Sequence, residues 1–481
     1  MTQQINTKVL LFVLLIGGFI SILNQTILNV ALSTFMEVFH VNGTTVQWLA
    51  TGFMLVNGVL IPVTAFLMKR FSTRQLFISS MLLLLIGSVF CAAAPNFSIL
   101  LTGRMIQAAG AGIIMPLMMN TVMLIFPPEK RGSAMGLVGI ALIFAPAIGP
   151  TLAGFIVEYV SWHWLFIGLI PFIVIVILLA FKYLVNVNEG QKAELDVFSV
   201  ILSTIGFALV LYGFSNAGSH GWDNVWVIAE IIGGVFVLTY FTFRQLRSSD
   251  PLLNVRVFQN KIFTMTTFIN IIITMMLYAD MILLPIYLQN GRGFTAFDAG
   301  LLLLPGAVIN ALLSPVTGRL FDRFGAKPLF IIGLIFVIPS MWVVTDLSET
   351  TSFTFLMVRT IFLRIGLSFI TMPLSTAGLN ALPKELMTHG TAVNNTIRQI
   401  AGAIGTAVVV TIFTAKQTDY AVTLSAQGKT EGIVALSSIF ASSDAYYFMT
   451  ILAVIALIIT IFTPLKRPVK ANVAGVAGEQ K

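Results

Sequence analysis

The sequence predicts an all-α membrane protein with fourteen spanning helices, arranged as two six-helix bundles with two extra helices between them. Three observations support this fold class. Only 10% of the 481 residues are charged, whereas soluble globular chains carry about 25%. Apolar runs long enough to cross a bilayer occur fourteen times, and short segments of the first half return in the same order in the second half.

The apolar runs define the predicted spans. A helix needs about 20 apolar residues to cross the hydrocarbon layer, and these runs are too long and too uniform for the alternating strands of a membrane barrel. The predicted spans cover residues 8–32, 46–68, 75–94, 98–122, 133–157, 163–186, 197–216, 225–244, 262–289, 298–318, 328–345, 353–379, 389–413 and 446–465. No small-residue cleavage site follows the first run, so we expect it to be retained as a span.

Loop charge predicts the orientation. One side of the predicted membrane carries 20 lysines and arginines, and the opposite side carries only Arg292, Lys416 and Lys429. Because positively charged loops stay in the cytoplasm, both termini are expected there, in a multi-pass protein of the plasma membrane. An odd number of spans would mix the two sets of loops, so the bias also supports an even count.

Internal repeats divide the chain. Three pairs of segments match at offsets of 253, 255 and 258 residues, namely Leu67–Arg74 with Leu320–Lys327, Arg104 with Arg359, and Arg131–Ala134 with His389–Ala392. Three matches in register indicate two related six-helix halves. The predicted domains are an N-terminal bundle (1–186), an inserted pair of spans with its linkers (187–260), a C-terminal bundle (261–466) and a disordered cytoplasmic tail (467–481).

Composition also excludes several kinds of protein. The net charge of +8 comes from bases scattered through short loops, which argues against nucleic-acid binding. The single cysteine, Cys91, and four scattered histidines show no metal-ligand spacing, so we expect no metal and no cofactor. A Walker-type phosphate loop is absent from the sequence. The expected surroundings are a lipid bilayer, and we expect a monomer to suffice.

One loop of the second half carries a specific motif. Residues 318–327 read GRLFDRFGAK, which matches the Gly-x-Leu-x-Asp-Arg-x-Gly-x-Lys pattern of a cytoplasmic loop in the major facilitator superfamily. The chain resembles the fourteen-span drug:proton antiporter branch of that family, and within it the multidrug and lincomycin-type efflux permeases. The resemblance implies a conformational latch, whose residues would be Gly318, Asp322, Arg323, Gly325, Lys327, Lys69 and Arg70. In the first-half copy Lys69 stands where the acid is expected, so we do not expect the two copies to act symmetrically.

Span 5 resembles the antiporter signature of the same family. Pro146, Gly149, Pro150 and Gly154 match a Gly-x-x-x-Gly-Pro-x-x-Gly-Gly pattern in which alanine replaces two of the glycines. Prolines bend a helix and small residues allow close packing. The resemblance implies export, and the alternative is an ordinary kinked packing helix.

Ionisable groups inside spans are costly and therefore point to function. Asp280 is the principal candidate for proton coupling, because a carboxyl in a low-dielectric cavity can exchange a proton near neutral pH. The alternative is a structural acid paired with an arginine. Arg104 resembles a proton-handling arginine of the family's fourth span, or it could extend its charge to the membrane surface. Glu158 and Glu230 lie near span ends and complete the candidate set for proton coupling.

Span 1 departs from the family pattern. The branch usually carries Leu-Asp-x-Thr-x-x-Asn there, and this chain has Asn24, which cannot titrate. Since the halves align at about 255 residues, Asp280 falls near the repeat counterpart of Asn24. We therefore hypothesise that span 9 supplies the missing acid.

The substrate cavity is expected near the midplane between the halves. Polar, methionine and aromatic side chains in the central spans are candidates, since they adapt to varied ligands. They are Asn24, Gln25, Asn29, Trp48, Asn57, Met115, Asn120, Met276, Tyr278 and Asn310. For any one of them, the alternative is lipid contact or core packing.

The resemblance implies a proton-driven secondary transporter that exports small lipophilic drugs or toxic compounds by alternating access. An exporter of an endogenous lipid, siderophore or metabolite is an alternative within transport. A non-transporting membrane receptor or a membrane-embedded enzyme is the alternative from another class, although the sequence has no catalytic cluster at the required spacing.

Overall fold

A computed structural model describes residues 7–28, 31–41, 43–46, 48–187, 196–248, 251–429 and 432–463, and these residues form helices without a strand. The α-helices are α1 (Thr7–Ile27), α2 (Leu32–Phe39), α3 (Gly43–Val46), α4 (Trp48–Arg70), α5 (Thr73–Ala92), α6 (Phe97–Ile125), α7 (Arg131–Tyr159), α8 (Trp164–Ile167), α9 (Ile170–Tyr183), α10 (Val197–His220), α11 (Val225–Arg247), α12 (Lys261–Ile286), α13 (Ala296–Phe324), α14 (Ala326–Trp342), α15 (Phe353–Ser368), α16 (Thr371–Asn380), α17 (Lys384–Ala426) and α18 (Ile433–Phe462). The predicted tail at 467–481 lies outside the described residues.

The helices agree with the predicted apolar runs, but fewer than fourteen of the described helices are both long and apolar enough to be identified as spans. In the described part of the chain, eleven helical segments are long and apolar enough to cross a membrane, or twelve if the bent α4 counts as one. Every predicted run coincides with a helix or with two helices in line. The two remaining runs fall on α7, which has 29 residues, and on α14, which has only 17. The count of fourteen therefore stays a prediction.

Local sequence explains where several helices begin. Ser72 accepts a hydrogen bond from the backbone N–H of Gln75, whose side chain accepts one from the N–H of Ser72, at the start of α5. Thr295 and Asp298 form the same reciprocal pair at the start of α13. Such capping boxes satisfy backbone donors that the first turn leaves unpaired. Between α13 and α14, Gly325 has φ +80°, a conformation that glycine adopts without strain.

Buried apolar side chains form two main clusters, one for each half of the chain. One cluster extends from α1 to α9, and the other lies between α12 and α18. The first cluster also includes residues of the second half, among them Leu379 and Met387. These lie at the end of the helices that carries Arg70, Arg131 and Lys327, which we call the basic end. The halves thus have separate cores but share packing at the basic end.

Glycines let α7 of the first half approach α13 of the second half. A Cβ atom on Gly318 would lie 2.2 Å from the carbonyl oxygen of Gly132. One on Gly136 would lie 2.5 Å from the carbonyl oxygen of Ser314. Both distances are below van der Waals contact, so this backbone approach requires residues without a side chain.

The inserted helices α10 and α11 pack against each other and touch both halves. α10 packs on α4 of the first half and on α17 of the second half. Tyr212 of α10 stacks on Trp48 with ring centroids 5.7 Å apart, and the loop residue Trp222 donates a hydrogen bond to Thr411 of α17. The inserted pair therefore lies beside the junction between α4 and α17.

Candidate functional site

A buried ion pair occupies the second half. Asp280 on α12 is 0% exposed, and its Oδ1 atom accepts a hydrogen bond of 2.7 Å from the guanidinium of Arg359 on α15. The hydroxyl of Tyr446 on α18 donates to the same oxygen at 3.2 Å. This one carboxylate oxygen thus connects three helices of the second half. Charge-assisted bonds of this kind are among the stronger ones in proteins, especially where water is excluded.

Arg359 is held in place on all sides. Its Nε donates to the carbonyl oxygen of Ser340 at 2.7 Å, another nitrogen contacts the sulfur of Met341 at 3.2 Å, and the guanidinium lies 4.9 Å from the ring centre of Tyr446. The second carboxylate oxygen of Asp280, Oδ2, is buried and has no hydrogen-bond partner among the described residues. The site therefore has a fixed cation and a carboxylate with one free acceptor atom.

The first half contains a similar centre without an acid. Arg104 on α6 is 1% exposed and donates to the backbone carbonyl oxygen of Asn24 at 3.2 Å and to the side chain of Gln107 at 2.8 Å. Its guanidinium lies 4.3 Å from the ring centre of Phe53, a cation–π distance. Gln107 in turn donates to Ser88 on α5 at 2.9 Å. Dipoles and an aromatic face thus surround Arg104, and among the described residues it forms no ion pair.

The two centres occupy equivalent places in the two halves. Arg104 contacts residue 24, and Arg359 contacts residue 280, so both members of each pair differ by about one repeat length. Residues 24 and 280 thus contact arginines one repeat length apart, the first through its backbone carbonyl and the second through its carboxylate. Proton coupling by Asp280 stays a prediction, because a buried pair is also compatible with a structural role.

The two halves are joined by polar contacts at the basic end. Asp322 on α13 accepts hydrogen bonds of 2.8 Å from the backbone N–H groups of Gly132 and Ser133, and another from the Ser133 hydroxyl. These N–H groups belong to the first turn of α7, where the helix dipole also favours a negative charge. Arg131 donates to Asn380 on α16 at 2.8 Å. In this state the two halves are therefore in contact at the basic end.

The other predicted latch residues each make a different contact in this state. Gly318 permits the close approach of α7, and Gly325 forms the turn after α13. Lys327 donates to the carbonyl oxygen of Ile461 at 2.6 Å, which ties α14 to α18. Arg323 lies 5.1 Å from the ring centre of Phe324. Lys69 and Arg70 form the last turn of α4.

Five of the predicted substrate residues are buried: Asn24, Asn57, Asn120, Met276 and Asn310. Of these, Asn120 crosses between the halves, since its side-chain oxygen accepts from Thr388 on α17 at 3.1 Å. Met276 belongs to the apolar core of the second half.

The other five predicted residues are less buried or lie outside the described residues. Gln25, Met115 and Tyr278 are partly exposed, and a Cβ atom on Gly402 of α17 would lie 3.2 Å from the ring of Tyr278. Trp48 is 40% exposed and stacks on the inserted α10. Asn29 lies outside the described residues. Of the nine described residues, Trp48 thus packs on the inserted pair and Tyr278 packs on α17.

The two remaining acids predicted for proton coupling are not part of either arginine centre. Glu158 is exposed near the end of α7, and Glu230 on α11 accepts a hydrogen bond from Asn216 at 3.1 Å. A Cβ atom on Gly149 of the antiporter-like segment would lie 2.4 Å from the Thr26 hydroxyl oxygen on α1. Pro146 and Gly154 are partly exposed on the same helix, which also contains Pro150. This segment therefore packs against α1 of its own half.

Sequence reasoning missed several of these partners. Tyr446 and Thr388 make contacts that define the site, yet neither was singled out. A tyrosine hydroxyl within an apolar run is a usable signal, because a buried hydroxyl generally needs a partner. The pairing of Arg131 with Asn380 joins residues 249 apart, and loop composition does not predict such a contact.

These features define a helical membrane transporter built from two related halves that meet at one end. The sequence profile of the Major Facilitator Superfamily matches residues 14–406, and the chain belongs to this family. It is therefore a transporter and not an enzyme. Across the part of the chain that the structure describes, no group of three or more metal-ligating side chains occurs.

Two relatives and one solved structure illustrate the family. The chain is 51% identical over 413 residues to YhcA of Bacillus subtilis, an MFS-type transporter without an assigned substrate, covering 86% of this chain and 78% of that protein. It is 43% identical over 460 residues to the lincomycin resistance protein LmrB of B. subtilis, covering 95% and 96%. The human organic anion transporter MFSD10 (TETRAN) has the same fold, with a TM-score of 0.63, 12% identity and coverage of 94% and 100%.

Proposed function

We propose that this transporter exports small lipophilic compounds in exchange for protons, by alternating access between its two halves. It crosses the plasma membrane fourteen times with both termini in the cytoplasm, so the basic end faces the cytoplasm, and a single copy suffices for transport. Loop charge supports this orientation. Lincomycin is the first antibiotic to test, because a relative of nearly the same length is named for resistance to it.

The buried pair of Asp280 and Arg359 is the single observation that carries the proposal of proton coupling. Both side chains are almost fully buried, at 0% and 1% exposure. A proton on Asp280 would neutralise the carboxylate and leave Arg359 without its counter-charge. An uncompensated buried cation costs several kcal/mol, so protonation favours a rearrangement of the helices that hold the pair.

The geometry suggests where the proton binds and which helices respond. The free Oδ2 atom of Asp280 is the proton acceptor, because Oδ1 already accepts from Arg359 and Tyr446. Loss of the negative charge weakens the connections of α12 to α15 and α18 together. A change at one carboxyl is thereby transmitted to three helices of the second half. Cargo and proton then need only favour opposite arrangements of these helices.

Efflux assays on expressing cells test the proposal. Cells that contain the wild-type protein are expected to export ethidium and lincomycin, and a protonophore is expected to stop this export. Asp280→Asn should abolish pH-driven export while the protein still reaches the membrane. Asp298→Asn is the matched control, since Asp298 caps the exposed start of α13 and contacts neither arginine centre.

Two results would contradict the proposal. Export that persists with a protonophore would remove proton coupling. Wild-type activity in Asp280→Asn would remove Asp280 from the coupling step, because an asparagine cannot exchange a proton. Protein amount in the membrane must be measured for both variants, so that loss of transport is separated from loss of protein.

A further inference from the structure

Arg364 is a charged residue deep in the second half that the proposed coupling step does not use. It lies on α15, eleven residues after Phe353, which starts the helix. At 1.5 Å per residue this is about 16 Å along the helix, near the middle of a hydrocarbon layer about 30 Å thick. The side chain is partly exposed, and its Nε atom is buried without a hydrogen-bond partner among the described residues.

The charges inside the spans do not balance. Four arginines lie within predicted spans, namely Arg104, Arg359, Arg364 and Arg398, and Asp280 is the only deep carboxylate in the described segments. Arg359 already binds that carboxylate at 2.7 Å. An arginine stays charged at every relevant pH, so it cannot lower the cost of burial by losing a proton. Arg364 therefore lies in a positively charged region of the interior.

Three further acids within the helices have partners other than Arg364. Glu230 accepts from Asn216, Asp298 caps α13, and Asp444 pairs with Lys416 at 3.5 Å. Among the residues that the structure describes, none of these carboxylates forms a salt bridge with Arg364.

Two more unpaired polar groups lie on the helices that meet at Arg364. The hydroxyl of Thr360, one turn before Arg364, and the side-chain oxygen of Asn310 on α13 are buried without partners in the described part of the protein. α13 and α15 meet at Gly306, where a Cβ atom would lie 3.0 Å from Cγ of Arg364 and 3.2 Å from the Thr360 side chain. Asn310 lies one turn after Gly306.

This cluster is close to the junction between the halves. One turn beyond Asn310, Ser314 packs against Gly136 and Gly139 of α7 in the first half. α13 thus contacts α15 at Gly306 and α7 of the first half at Ser314, and the unpaired side-chain oxygen of Asn310 lies between these two contacts. A central cation beside an unpaired hydroxyl, which can donate, is an arrangement that a bound anion would complete.

We propose that Arg364, with Thr360, binds the anionic headgroup of an amphiphilic substrate, such as a carboxylate or sulfonate. This rests on the proposed export of lipophilic compounds and adds to them a class of amphiphiles that carry one negative charge. The guanidinium supplies up to two parallel hydrogen bonds to such a group, and the Thr360 hydroxyl supplies a third. A free chloride ion shares this chemistry and must be distinguished from a substrate.

Uptake into inside-out membrane vesicles tests the proposal with two fluorescent probes of opposite charge. The anion is 8-anilinonaphthalene-1-sulfonate and the cation is ethidium. Arg364→Gln is expected to raise the KM for the anion about tenfold, the effect of one lost charge-assisted contact, and to leave ethidium transport unchanged. Arg364→Lys keeps the charge but not the planar fork, so its KM should be intermediate.

Arg247→Gln is the matched control, because it removes one arginine from the end of α11, where the guanidinium lies 4.1 Å from the ring centre of Phe243. It should match the wild type with both probes. Equal losses for both probes in Arg364→Gln would indicate a structural role and overturn the proposal. Transport of ethidium alone by the wild type would overturn it as well, and transport of neither probe would contradict the proposed export itself.

Replacing chloride with gluconate distinguishes the two kinds of anion. If Arg364 binds a substrate headgroup, the KM for the anionic probe stays within about twofold when chloride is removed. A strong chloride dependence that disappears in Arg364→Gln would identify an inorganic anion site, and the substrate assignment would then be wrong.

Discussion

Asp322 provides the sharpest test of how the two halves are held together at the basic end. Its carboxylate accepts from the backbone N–H groups of Gly132 and Ser133 at 2.8 Å each and from the Ser133 hydroxyl. In Asp322→Asn the amide oxygen can still accept, but the amide nitrogen cannot, and the negative charge at the start of α7 is lost. We expect this substitution to open the basic end more often.

The expected size follows from the contacts. A hydrogen bond to a charged group contributes about 1.5–3 kcal/mol, and the substitution removes the charge from two backbone contacts and leaves only one good acceptor. A loss of about 3 kcal/mol shifts the equilibrium between closed and open basic ends by about a hundredfold, since 1.4 kcal/mol is a factor of ten. Because Asp322 is only partly buried, water will replace part of the lost hydrogen-bond energy. We therefore expect the equilibrium to shift at least tenfold.

Alkylation of a single cysteine measures this equilibrium. Cys91 is the only native cysteine and is replaced by serine, and Ser314→Cys introduces the reporter. Ser314 is 1% exposed where α13 packs on α7, so a reagent reaches it only when the helices separate. The rate of reaction with N-ethylmaleimide should rise at least tenfold in Asp322→Asn.

Asp298→Asn serves as the control for the same change at the opposite end of α13. There the carboxylate completes a capping box within its own helix and does not cross between the halves. Equal labelling rates in Asp322→Asn and Asp298→Asn would refute the assignment of Asp322 as a contact that holds the halves closed.

Two further predictions concern helix packing and pH. Gly318→Ala should slow transport at least severalfold because the new Cβ would lie 2.2 Å from a carbonyl oxygen of α7, whereas Gly300→Ala on the same helix meets nothing within 4 Å and should transport normally. Partial burial raises the pKa of Asp196, but hydrogen bonds from Ser199 and Arg244 lower it by more. The folded-state pKa therefore lies below 3.8. This stabilisation is present above pH 3.8 and is lost as the pH falls through the folded pKa. Asp196→Asn should therefore lower the free energy of unfolding at pH 7 by about 1 kcal/mol or less, and this difference should shrink as the pH falls below 3.8. A difference that does not shrink below pH 3.8 would contradict the role of the ionised carboxylate.

The helices and their order could be predicted because bilayer thickness imposes one length scale on the sequence. The repeat offset paired residue 280 with residue 24, and each accepts a hydrogen bond from an arginine, residue 24 through its backbone carbonyl and Asp280 through its carboxylate. The number of spans was harder to predict. Proline and small residues shorten or interrupt the apolar runs, as in α14, where Pro339 lies near the end of a 17-residue helix.

The composition of the site could not be predicted from the same pattern. Packing between segments far apart in sequence decides which face of a helix lies against the partner half. Trp48 illustrates this, because an aromatic residue at the start of a span fits a substrate cavity, yet it stacks on Tyr212 of the inserted α10. Tyr446 illustrates the converse, since its role depends on α18 lying beside both Asp280 and Arg359.

The difference between the two arginine centres bears on which half responds to protons. The contacts of Arg104 are a backbone carbonyl, an amide and an aromatic ring, none of which titrates in the working range of a cell. Arg359 instead binds a carboxylate whose charge a proton removes. Under the proposed coupling, a proton on Asp280 changes the charge of the second centre and leaves that of the first unaltered. We infer that the first half acts as a fixed frame and that proton-driven rearrangement begins in α12, α15 and α18.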